Sequence, residues 1–231
     1  MTPRYAIFFA PRLGEALQLI GNAWLGRDAE SGMTLPQPTI PGFSPDAIEA
    51  VTATPRRYGI HATLKPPFRL APRLQEADLR DALATFSTRH AAPQIERMAL
   101  SEIGKFLALT PMGAAREVLG LAAHCVRHFD RFRATPLAEE TTRRMTGCLS
   151  PRQQVLLAEW GYPYVLDEYR FHITLTDRMG DDAQRERLRG ALADLFAPVL
   201  AQPIRIADLC LFAQADQDEP FRIIDRYPLI A

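Results

Sequence analysis

Two stretches decide the reading of this chain: "YGIHATL" at residues 58–64 and "YRFHITL" at residues 169–175. Tyr, His, Thr and Leu recur at identical spacing, and an apolar residue precedes each His. His61 and His172 stand 111 positions apart, about half of the 231-residue chain. Both runs have β character. Residues i and i+2 of a strand share a face, so His61 projects with Thr63 and His172 with Thr174.

The surroundings repeat as well. After each histidine strand the pattern reads helix, strand, strand, with Ile95 following His61 by 34 residues and Ile204 following His172 by 32. An internal repeat of this kind predicts two lobes, about 1–111 and about 161–231, each carrying one H-x-T, with a helical segment at about 112–160 between them. Within lobe one, 4–10 reads as a strand and 13–26 as a helix with Leu13, Leu17, Ile20, Trp24 and Leu25 inward. Residues 33–47 read as a loop and "RRYGIHATL" as a β-run that Pro66 and Pro67 break. Residues 74–90 read as a helix, followed by a hairpin about Gly104. Helix 181–197 and two closing strands, "PIRIADLCLFAQ" and "FRIIDRYPLI", complete lobe two.

Composition narrows the function. Net charge is zero, with 27 basic and 27 acidic residues. Binding to a long nucleic acid through its phosphates calls for a basic excess, so no long nucleic acid is expected, while a small anion is compatible with local positive charge. No apolar run reaches the ~20 residues of a membrane span, and the N-terminus lacks the features of a signal peptide. Cys125, Cys148 and Cys210 are widely spaced and form no CxxC, as expected of free thiols in a cytoplasmic protein.

Two imidazoles and two hydroxyls facing one cleft suit phosphodiester cleavage. One His takes a proton from the attacking oxygen, the other gives one to the leaving oxygen, and the threonines bond the non-bridging oxygens. The paired "HATL" and "HITL" resemble the H-x-T motifs of the 2H (two-histidine) phosphoesterase superfamily. The longer string "RYGIHATLKPPFRLA" is similar to a bacterial branch associated with phosphonate-utilisation genes. The resemblance implies a bilobal α+β fold with mainly antiparallel sheets around a central cleft. It implies metal-independent, cofactor-free hydrolysis of a cyclic phosphate, with His61, His172, Thr63 and Thr174 catalytic, His172 as base and His61 as leaving-group acid. RNA-end 2′,3′-cyclic phosphodiesterase activity and non-catalytic binding of a cyclic phosphate are alternatives.

Lys65, two residues after Thr63, and Arg57, four before His61, fall on the histidine face by parity and are the candidate phosphate contacts. Tyr58 and Tyr169 fall on the opposite face, as packing residues. His124 and His128 have an i, i+4 spacing that could hold a metal, but the H-E-x-x-H glutamate is missing, so two polar rings on a helix face are expected. His90 is expected at a helix C-terminus.

Overall fold

In the computed structural model, which describes residues 3–137, 140, 142, 145 and 149–231, the first apolar run forms β1 (Arg4–Phe9). Tyr5, Ile7 and Phe9 point into the main core. Ala6 and Phe8 point into a second core with Cys210, Phe212 and Phe221. A strand covered on both faces needs an unbroken apolar run rather than alternation, and "YAIFF" provides it. β1 pairs with β2 (Ala62–Arg69) and with β8 (Asp208–Gln214), and β9 (Arg222–Pro228) completes a sheet of order β2-β1-β8-β9. A second sheet has the order β4 (Met98–Ile103), β5 (Phe106–Pro111), β6 (Ile173–Thr174). The short β3 (Gln94–Ile95) pairs with β7 (Ile204–Arg205). All of these pairings are antiparallel, so the fold is α+β as expected.

Sheet membership crosses the expected lobe boundaries. The β4–β5 hairpin comes from the first half but pairs with β6 of the second motif. The β8–β9 hairpin comes from the second half but joins β1 and, through it, the first motif strand. The two halves therefore interlock by exchanging hairpins.

Among the described residues the helices include α1 (Ala16–Leu25), α2 (Pro45–Val51), α3 (Ala53–Tyr58), α4 (Glu76–Ser87), α5 (Arg116–Phe129), α6 (Pro151–Trp160), α7 (Asp182–Leu195) and α8 (Ala197–Leu200). α4 packs on β8 and β9, α5 on β2, and α7 on β4 and β5. None of these helices is long and apolar enough to cross a membrane. Most boundaries lie within a few residues of expectation, with five differences. The second histidine run is strand only at Ile173–Thr174, and His61 and His172 each stand just before their strands. Residues 53–58 are helical, so "RRY" is not strand. The end of the expected 33–47 loop enters α2 at Pro45, because Ser44 caps the helix, accepting from the Ala47 N–H, and Pro45 sits in the first turn, where its missing N–H costs nothing. Leu13 precedes α1 and is 83% exposed, not inward. β2 continues through Pro66 and Pro67, because it is an edge strand and its ladder with β1 skips both prolines at the register shift between Tyr5 and Ile7. Part of the 112–160 segment, and Cys148 with it, lies outside the described residues, while Cys125 and Cys210 are buried free thiols.

Candidate active site

The first motif starts at a helix end. Gly59 caps α3, its N–H bonding the Pro55 carbonyl, and its φ of +77° turns the chain towards β2. That backbone conformation favours glycine, and a Cβ there would stand 2.6 Å from the Ala29 Cβ. The turn aims the Gly59 carbonyl at His61, whose Nδ1 lies 2.9 Å from it. A carbonyl only accepts, so Nδ1 carries the hydrogen and the neutral ring keeps its lone pair on Nε2. His172 repeats this arrangement: its Nδ1 donates to the Arg170 carbonyl, also two residues upstream, at 2.8 Å. Both imidazoles thus hold the tautomer that leaves Nε2 free for proton transfer.

His61 is enclosed by aromatic rings. Phe8 lies 4.3 Å from it between centroids, Tyr58 stacks at 5.5 Å, and Phe212 lies at 6.2 Å. Burial pushes the imidazole down to about 4, the hydrogen bond to Gly59 works in the opposite direction, and the charge of His172 lowers it further. His61 is therefore neutral at pH 7. The influence of His172 also places the two histidines within electrostatic reach of each other. His172 stands beside Phe106, at 6.0 Å.

Thr63 lines a cavity of about 470 Å³ together with Phe8, Tyr58, Tyr162, Phe221, Gln214 and the two arginines Arg4 and Arg57. His61 packs on Phe8 and Tyr58 of this wall without itself being one of the lining residues. Thr174 lies on β6 opposite Ala108, and neither it nor His172 lines this cavity. Among the described residues the cavity lining contains no carboxylate, so their formal charge is positive and suits an anion.

Lys65 does not reach the site. The register shift between Ile7 and Phe8 places Lys65 opposite Ile7 but Thr63 opposite Phe8, so the two side chains lie on opposite faces of the sheet. Lys65 is 2% exposed, and its Nζ donates to the Val126 carbonyl and to Asp130, each at 3.2 Å. Burial lowers its ammonium to about 8 against the pull of Asp130. It fastens β2 to α5. Arg57 does reach the cavity, but from the last turn of α3 rather than along a strand, and it donates to the Gln217 and Glu219 carbonyls. Tyr58, expected on the far face, stacks on Phe221 at 5.0 Å in the cavity wall. Arg4, Gln214 and Phe221 carried no periodic or motif signal. Arg4 donates to the Gln214 carboxamide at 2.8 Å and lies over the Phe221 ring.

Away from the cavity, His90 Nδ1 donates to the Phe86 carbonyl at the end of α4, at 2.9 Å. His124 and His128 lie near His90 and Phe86, respectively, in a ring cluster. Among the described residues no group of three or more His, Cys, Asp or Glu is placed to hold a metal ion.

Residues 63–222 match the sequence model of a family described as "Protein of unknown function (DUF1045)". The chain belongs to that family. It is 36% identical over 228 residues to a protein of Janthinobacterium sp. (strain Marseille) named ribose 1,5-bisphosphate phosphokinase PhnN, covering 97% of this chain and 50% of that one. It is 34% identical over 221 residues to a protein of the same name from Laribacter hongkongensis (strain HLHK9), covering 95% of this chain and 50% of that one. The chain thus spans about half the length of these curated relatives. Among solved structures, E. coli LigT complexed with NADP+ aligns over 100% of this chain and 99% of its own, at 11% identity and a TM-score of 0.43.

Proposed function

We propose that this DUF1045 chain is a phosphoesterase that hydrolyses a small cyclic phosphate, or a related phosphodiester, by general acid–base catalysis between His61 and His172. The observation that carries this reading is the matched anchoring of the two rings: each Nδ1 is held by the carbonyl two residues upstream, which leaves each Nε2 to move a proton. Nε2 of one histidine takes a proton as water oxygen bonds to phosphorus. Nε2–H of the other gives a proton to the sugar oxygen as its bond to phosphorus breaks. The product is a phosphate monoester and a free hydroxyl, and the pair exchanges its protonation states in each turnover. Thr63 and Thr174 donate hydroxyl hydrogens to the non-bridging oxygens. Burial keeps the His61 ring neutral, ready to accept a proton and not to donate one, which assigns it the base's role, the reverse of that implied by family resemblance. An anionic phosphate bound beside His61 raises that pKa towards neutrality, where a base works best.

The substrate reading rests on charge and on the relatives' names. Among the described residues two guanidinium groups and no carboxylate line the cavity, which is more positive charge than a singly charged cyclic phosphate needs. The curated relatives are named for a kinase of a ribose bisphosphate. A ribose cyclic phosphate carrying a further phosphate fits both, and places the reaction in phosphonate metabolism as the family resemblance implies. A second reading, an RNA-end 2′,3′-cyclic phosphodiesterase, draws support from Tyr58, a half-buried ring of the cavity wall backed by the buried Phe221, on which a base can stack. A ³¹P NMR screen of EDTA-treated protein tests both readings. The substrates are ribose 1,2-cyclic phosphates with and without a 5-phosphate, 2′,3′-cyclic nucleotides and linear diesters. Opening of the 5-phosphorylated ribose ring in preference to the others is the expected result. Preference for the nucleotides would select the second reading, and tight binding without turnover would select a cyclic-phosphate binding module.

A further inference from the structure

We propose that Tyr169 is a positioning residue for this reaction: its phenol hydroxyl donates to the Thr63 backbone carbonyl at 2.6 Å and thereby sets the separation of the two H-x-T motifs. The inference rests on the hydrolase reading above. The two motif strands belong to different sheets, since β2 lies at the edge of the four-stranded sheet and β6 at the edge of the three-stranded one. No ladder joins them. Among the described residues, the hydrogen bond from Tyr169 is the one that connects 58–70 with 169–176 directly. It lands on the stretch of β2 where the register shifts, two residues after His61.

The segment that delivers Tyr169 is held from outside. Gln153 on α6 donates to Glu168 at 2.9 Å, and Arg152 on the same helix pairs with Asp167. Leu166, three residues before Tyr169, has a φ of +53°, a conformation that side chains with a Cβ rarely adopt. Strain of that kind persists where the surroundings dictate the path of the chain. Packing alone does not require the hydroxyl, because a phenylalanine ring fills the same space. Acid–base catalysis does require a fixed distance between two proton-transferring groups, and a misplacement of about 1 Å can cost up to roughly 100-fold in rate.

Tyr169→Phe tests this, with Tyr227→Phe as a control that removes a phenol bonded to Asp225 on β9, outside the site. The expected result for Tyr169→Phe is a fall in kcat of roughly 10- to 100-fold with KM within about twofold, and a shifted acid limb in the pH–rate profile. Tyr227→Phe leaves kcat, KM and the profile unchanged. An NMR titration of the His61 ring supplies a readout independent of turnover. The His61 pKa should rise in Tyr169→Phe, because a looser His172 repels its proton less. If Tyr169→Phe matches wild type in kcat, pH profile and His61 titration, or loses only KM, the inference is overturned. If wild-type protein turns over no substrate but the titration shifts, the hydrolase reading fails while the geometric coupling of the motifs stands.

Discussion

Replacing Phe8 by leucine should raise the pKa of His61. The wild-type imidazole is held at about 4, against about 6.5 for a free histidine, and burial is the largest cause. Such a displacement corresponds to about 3 kcal/mol of preference for the neutral ring, taken as an upper bound because part of the residue still meets solvent. Of the rings around His61, Phe8 is nearest, at 4.3 Å. Leucine is smaller and non-planar, so it opens a path for water to one face of the imidazole, and the pKa should move up by about one unit. The stability cost should be about 1–2 kcal/mol, towards the lower end for a partial truncation in a core. The assay is a ¹H NMR titration of the His61 ring carbons, which needs no substrate. A wild-type pKa near 6.5, or an unchanged pKa in Phe8→Leu, would refute the account of His61 as a base kept neutral by its aromatic enclosure. The same displacement fixes a sign for stability. Unfolded His61 takes a proton below about pH 6.5 and the folded ring refuses it until about pH 4. The contribution to stability is therefore lost as pH falls from 6.5 to 4, by about 1–2 kcal/mol after allowing for solvent contact, and His61→Ala should flatten that slope in denaturant melts.

Three further outcomes follow from the structure. Lys65→Met should leave kcat and KM within about twofold of wild type and change stability little, since Asp130 keeps its pairing with Arg133 at 2.8 Å; a tenfold rise in KM would return Lys65 to the site. Gly59→Ala should lose about 1–3 kcal/mol in thermal melts, through the positive φ and the contact with Ala29, and should lower kcat by displacing the carbonyl that holds His61; wild-type kinetics would show that this carbonyl does not orient the ring. Arg57→Gln should raise KM for a doubly phosphorylated substrate about tenfold and weaken the salt dependence of kcat/KM, with kcat unchanged; equal effects on substrates with and without the second phosphate would remove Arg57 from substrate discrimination.

The parts of the molecule legible in the sequence were those with an uninterrupted period. β1, α4, α7, the hairpin about Gly104 and the closing strands announce themselves by apolar spacing. The recurrence of H-x-T at 61–63 and 172–174 is visible as a repetition in the sequence. What failed was counting across irregularities. Parity carried from His61 back to Arg57 assumes a strand, but the chain turns at Gly59 into a helix, and the residue that permits the turn looks like any other glycine. Parity carried from Thr63 forward to Lys65 assumes an even pleat, and the register shift reverses the face. Pro66 and Pro67 looked like a strand end because their tolerance depends on β2 being an edge, a fact about sheet order and not about local sequence. The exchange of hairpins between the two halves is invisible for the same reason. It places Gln214 and Phe221, from the end of the chain, in the wall beside Thr63.

The central claim is that His61 and His172 are the two ends of one proton-transfer path across a phosphodiester. The most direct measurement is ³¹P NMR of a 5-phosphorylated ribose 1,2-cyclic phosphate in H₂¹⁸O, with wild-type protein, His61→Ala and His172→Ala compared at equal folded concentration. The account predicts one ¹⁸O in the product phosphate of the wild-type reaction and a loss of at least ~100-fold in rate for each variant. Turnover by either variant at close to the wild-type rate would contradict it.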